Sequence, residues 1–217
     1  MKLLFRFSCL LLILGLSLTA CKKAPKGVDA KTTTATEAAA TANANDKMFD
    51  ITDGQVQWTA TKVGGQHQGV VKVSGGNIAA NNGKVSAGTV NIDMSSITVT
   101  DLKAGDGKED LEGHLKTGDF FNIAAHPSAT FKVTSTTGSG TSSSIIGDLT
   151  IKGITKSITV PANVVMAGDK ISVVIPSFKI NRTNWDVKYG SGLIGTAADK
   201  IIHDEIALVI NLTGQAK

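Results

Sequence analysis

Four histidines (His67, His114, His126 and His203) and 18 carboxylates are the side chains best suited to chemistry in this chain of 217 residues. None of the histidines sits in an H-x-H or H-E-x-x-H spacing, and none has a cysteine at ligand spacing, so no zinc site is expected. His203-Asp204-Glu205 offers metal oxygens on paper, but it reads better as the solvated end of a strand. Asp101, Asp106, Glu109 and Asp110 cluster around two glycines without the D-x-[DN]-x-[DN]-G order of a calcium loop. Serine is plentiful without a G-x-S-x-G elbow, and the glycine-rich stretches separate strand from strand, so neither a nucleophile nor a phosphate cradle is implied. The expectation is a non-enzyme with no catalytic residue, no metal and no cofactor.

Two residues carry sharper signals. Cys21 follows Leu18-Thr19-Ala20, and that tripeptide ends an apolar run from Leu10 to Leu18 preceded by Lys2 and Arg6. Charge, apolar length and a small residue before the cysteine form the signal and lipobox of a bacterial lipoprotein, too short to serve well as a spanning helix. Residues 1–20 are therefore read as a signal peptide and Cys21 as the acylated residue. Removing Lys2 and Arg6 takes 22 basic side chains to 20 against 18 acidic ones, a net charge of +2. With rings at only 5% of residues, that balance argues against a nucleic-acid partner. The second residue is Arg182, the only arginine left after processing. Its planar fork can hold a phosphate head group, or it can stack on Trp185 or Trp58 and help to close a barrel; cation–π geometry favours closure.

These residues need elements to position them. Residues 21–46 hold the lipidated cysteine and then Ala, Thr, Lys and Asn without apolar alternation, which reads as a flexible, disordered linker. As a coil it would span about 25–30 Å and hold a domain near a membrane. Residues 47–217 alternate in period two. The inward-facing positions are Val56 and Trp58; Val71 and Val73; Val90, Ile92 and Met94; Phe131 and Val133; Leu149 and Ile151; Val173 and Ile175; Phe178; and Ile206, Leu208 and Ile210. Asn81-Asn82-Gly83 marks a hairpin. Lys108 to Lys116 places Leu111 and Leu115 four apart among charges, a short amphipathic helix laid over an end or side of the sheet. Short connections exclude parallel crossovers. The fold predicted is all-β, an antiparallel eight-stranded barrel with one short helix, behind a signal peptide and a disordered tether. Periodicity alone fits a filled core.

The motifs shift that balance. Trp58 leading into Thr61-Lys62-Val63-Gly64-Gly65, Gly113-His114-Leu115 before Asp119-Phe120-Phe121, and His126-Pro127-Ser128-Ala129-Thr130-Phe131 occur in order. Gly147-Asp148-Leu149-Thr150-Ile151-Lys152-Gly153-Ile154-Thr155-Lys156 and Phe178-Lys179-Ile180-Asn181-Arg182-Thr183-Asn184-Trp185 follow. Over residues 48–213 the chain resembles the YceI-like family of bacterial envelope proteins. One departure is Asp186, at a position where the family often has Gly. The resemblance implies a lipocalin-like barrel whose inward residues, those given above, line a channel for a polyisoprenoid or quinone, with Arg182 and Trp185 at a head group or a closure. It implies binding, storage or transport of that lipid without catalysis. Membrane attachment through Cys21 puts the protein in the cell envelope, on the periplasmic face. Lys22, where inner-membrane retention often has Asp, leans towards the outer membrane. The alternative is a structural or stress-related envelope lipoprotein with a filled barrel. The oligomeric state stays open, a dimer being one option.

Overall fold

The computed structural model describes residues 24–35 and 38–217. The expected signal peptide, residues 1–20, and Cys21 lie outside the described residues.

Two short strands come first, β1 (Val28–Asp29) and β2 (Lys31–Thr34). Eight long ones follow: β3 (Lys47–Lys62), β4 (Gly65–Asn81), β5 (Lys84–Val99), β6 (Ser128–Thr137), β7 (Ser143–Ile151), β8 (Ile154–Ala167), β9 (Lys170–Asn181) and β10 (Ile202–Ala216). The eight are antiparallel neighbours in the order β9-β10-β3-β4-β5-β6-β7-β8, and β8 pairs with β9 to close the ring. One helix, α1 (Lys108–Lys116), spans the residues expected of it. The predicted eight-stranded antiparallel barrel with a short helix is the fold observed.

The two ends of the barrel differ. At the hairpin end, Asn82 and Gly83 both have positive φ, 51° and 74°, the type I′ geometry that matches strand twist. That turn reaches across the end: Gly140 N–H donates to Gly83 O at 2.8 Å, and Gly83 N–H points to Met166 Sδ at 3.3 Å. Lys47 pairs with Asp169 at 2.5 Å beside it. At the opposite, helix end, two connections are long. The β5–β6 connection carries α1, and the β9–β10 connection carries a 3-10 turn, Arg182–Trp185, followed by residues 186–201.

Two seams in the wall are incomplete. β8 and β9 pair only from Asn163–Ala167 to Lys170–Val174, then part towards the helix end. β5 and β6 pair only between Thr89–Asp93 and Ser128–Lys132. Residues 28–34 fill the first gap: Val28 and Asp29 run parallel to β9 at Phe178 and Lys179, and Lys31–Thr34 run antiparallel to β8 at Lys156–Thr159. At the second, Ala40 N–H donates to Val133 O at 3.0 Å, and Asp46 accepts from Ser86 Oγ at 2.5 Å. Over these residues the expected flexible linker is instead a strap laced along the barrel. Its backbone supplies the hydrogen bonds that the parted strands lack, while most of its side chains stay exposed.

Candidate ligand-binding site

Every strand of the barrel turns one face inward, and those faces do not meet. They enclose a cavity of about 180 Å³ lined, Arg182 and Gly88 apart, by apolar side chains. Along β10 the lining runs from Ile202 to Leu212, roughly 30 Å of strand. A cavity of that volume takes an apolar guest of about benzene's size as it stands, and a chain along the whole length needs the lining side chains to give way. The filled core that periodicity alone favours is therefore not the structure found. Cavities with such walls stay dry and take apolar guests.

All the inward-facing positions predicted from alternation line this cavity except Val73. Around it β4 slips register, between Val70 and Lys72 and again between Val73 and Gly75. A bulge reverses the face that later residues present. Val73 therefore packs half-buried beside Gly54, while Ile78 beyond the bulge turns inward. Ile97, Val85, Ile145, Ile158, Val160 and Leu212 also belong to the wall, along with residues from the connections: Leu115 of α1, Phe120, Phe121 and Val187. Strand alternation gives no signal for that last group.

Trp58 is the one polar-tipped ring in the lining. Its indole rests on bare backbone: a Cβ at Gly69 would stand 2.5 Å from Trp58 Cζ2 and 1.9 Å from Thr98 O, so only glycine allows the approach. Trp58 is 9% exposed, and its Nε1–H has no hydrogen-bond partner. A buried donor left unpaired costs about 1–3 kcal/mol, which the close seat on Gly69 imposes on Trp58.

Arg182 stands at the helix end, 3% exposed. Nε donates to His203 O at 3.1 Å, Nη1 to Val187 O at 2.7 Å and Nη2 to Ile202 O at 3.1 Å, with Asp204 Oδ1 at 3.5 Å. Burial pulls the guanidinium below its ordinary pKa, and Asp204 offsets part of that shift. The predicted stacking on Trp58 or Trp185 is not the geometry adopted; among the described residues the cation–π contact is Lys47 over Phe49, at 6.0 Å. The fork ties the two ends of the 186–201 loop together through their carbonyls. Trp185 is fully buried and donates Nε1–H to Leu149 O at 3.0 Å, pinning the 3-10 turn to β7. Asp186 takes φ 58°, ψ 28°, the left-handed region where glycine is at ease.

A second latch holds α1. Glu112 Oε1 accepts from Thr98 Oγ1 at 2.5 Å and from Val99 N–H at 2.8 Å. These two bonds, Thr98 first, keep its carboxyl below the usual glutamate range. The histidines are dispersed: His67 meets Asp101, His114 meets Asp119 and His203 meets Thr61, each as a separate pair. Among the described residues, no three His, Cys, Asp or Glu side chains come together.

The family model of the YceI-like domain matches residues 28–214. The chain belongs to the YceI-like family. That match begins at β1, so the family's domain includes the strap. A UPF0312 protein of Pseudomonas aeruginosa is 34% identical over 77 residues, 36% of this chain, and the chain spans only 40% of that relative's length. The fold is shared with BcnA of Burkholderia cenocepacia, at TM-score 0.59 and 22% identity over 74% of this chain and 95% of that one. It is also shared with a polyisoprenoid binding domain from Saccharophagus degradans implicated in plant cell wall breakdown, at TM-score 0.57 and 15% identity over 78% and 98%. The barrel is thus shared at low sequence identity.

Proposed function

We propose that this protein binds one long isoprenoid chain, as a polyisoprenoid or the tail of a quinone, and stores or moves it in the cell envelope without chemical change. The observation that carries the reading is the apolar cavity lined along β10 from Ile202 to Leu212. Left empty, a cavity of that size costs on the order of 4 kcal/mol of stability at about 24 cal/mol per Å³. A guest returns that stability. The polyisoprenoid-binding fold relative supports the same cargo.

The thermodynamics suit a carrier. Each buried methylene is worth about 0.8 kcal/mol against water, but the guest's other home is a bilayer, equally apolar. Transfer between the two is nearly balanced, so the protein can load and unload. The lipobox at Cys21 supports an anchored lipoprotein on the periplasmic face of the outer membrane, with the strap as the folded part of its tether.

The test is competition for a fluorescent prenyl probe. The parent protein is expected to bind the probe at one per chain, displaced by long-chain quinone. Val173→Trp, which puts an indole into the bore, is expected to lose the probe while remaining folded. Equal binding by parent and variant would remove the bore as the site. An intact parent that binds no prenyl chain would instead favour a structural envelope protein.

A further inference from the structure

We infer that the 186–201 loop is a lipid-bilayer docking tip that sets the helix end of the barrel against the membrane. Five large apolar side chains are exposed among the described residues, and three lie in this loop: Tyr189 at 45%, Leu193 at 73% and Ile194 at 57%. The loop is built to display them. Ile202 N–H donates to Gly190 O at 2.7 Å and closes its base, where Gly190 takes φ 66° against Ile202. Ser191, wholly buried, accepts from Leu193 N–H at 3.1 Å, and its carbonyl accepts from Thr196 Oγ1 at 2.7 Å. The resulting turn holds Leu193 and Ile194 outward on a rigid stem. Tyr189 leans on His114 and Phe120, with centroids 4.7 and 5.3 Å away, so the tip rests on the elements that cover the bore.

Two observations choose a bilayer as the occupant. The tip is continuous with the apolar bore: Val187 and Ile202, at the two ends of the loop, both line it. A chain leaving one apolar medium at this end would meet the next without crossing water. Second, the N-terminal segment lies on the outer wall in the half of the barrel nearer this end, in a groove that runs from Ser177, Val209 and Gln57 up to Thr61 and Gln66. Ala24, Pro25 and Lys26 lie on the outer wall beside Thr61 and Gln66, and Val63, in the turn between those two, donates N–H to Ile201 O at 2.9 Å at the foot of the loop. Cys21 is three residues upstream of Ala24, a reach of at most about 10 Å. An acyl chain there would hold this end, and not the hairpin end, towards lipid. The inference rests on the cargo reading for its purpose but not for its geometry.

The full chain bearing Leu193→Trp, and separately Val165→Trp, is mixed with phosphatidylethanolamine–phosphatidylglycerol vesicles whose acyl chains carry bromine. Val165 is a matched control, 53% exposed and near the hairpin end. Bromine is expected to quench the emission that the Leu193→Trp residue adds to the parent's background, and to spare that of Val165→Trp. Equal quenching at both sites, or none at residue 193, overturns the inference; in the latter case the tip is free for a protein partner. Leu193→Ser with Ile194→Ser is expected to slow vesicle-to-vesicle transfer of the prenyl probe several-fold with the amount held unchanged. If the barrel holds no probe, the cargo reading fails and the quenching result still decides the docking.

Discussion

The hairpin end and the helix end of this barrel are closed by different physics. At the hairpin end, main chain meets main chain: turns fixed by positive φ at Asn82 and Gly83 touch the neighbouring turn at Gly140. At the helix end, side chains hold the cover: Glu112 on α1, and Arg182 and Trp185 at the 186–201 loop. Backbone closure opens only when strands separate. A side-chain latch opens by breaking two or three bonds, with the barrel intact. On the proposed cargo reading, exchange of a guest is therefore expected at the helix end.

Arg182 gives the severest way to break this contrast. Arg182→Met leaves the carbonyls of Val187, Ile202 and His203 without their shared donor and Asp204 without its cation. A loss of about 3–5 kcal/mol in urea unfolding is expected, as for other broken buried charge networks. Gly83→Ala probes the other end. It forces a side chain onto φ 74°, with Gly140 N only 3.2 Å from the new Cβ. About 1–2 kcal/mol should be lost, with no change in the rate of prenyl exchange; accelerated exchange would erase the distinction between the ends.

Glu112→Gln should cost about 1 kcal/mol, since charge-assisted bonds become neutral ones, yet speed exchange measurably in stopped-flow release of the probe. The same latch responds to acid. Its folded pKa lies below the ordinary 4.5, so its contribution is complete above 4.5 and is lost as pH falls from there through the lowered folded pKa. Release should accelerate on acidification below about pH 4.5 in the parent, and much less in Glu112→Gln. Asp186→Gly is the mildest change. It relieves a left-handed aspartate and should raise stability by less than about 1 kcal/mol, at the loss of the 2.7 Å pair with Lys188.

Much of this was legible in the residues. Period-two alternation located the strands and most of the bore, because an inward face must be apolar whether or not it meets another. Alternation could not distinguish a hollow barrel from a filled one, since both want Val and Ile at the same positions. It failed at Val73 because a bulge changes parity without leaving a mark in hydrophobicity. The strap escaped notice for a related reason: residues 28–34 contribute backbone hydrogen bonds to a parted seam and leave most side chains in water, so their composition reads as linker. Glycine had more to say at Gly69, where the missing side chain makes room for Trp58. Arg182 was recognisable as unusual by type alone, but its partners are carbonyls, which no sequence pattern displays.

The most direct test weighs what the bore contains. Native mass spectrometry of the protein purified from a host that makes isoprenoid lipids should show one added prenyl-chain mass per chain, lost from Val173→Trp. A parent protein that flies at its bare mass, with the same melting temperature as the variant, would contradict the account.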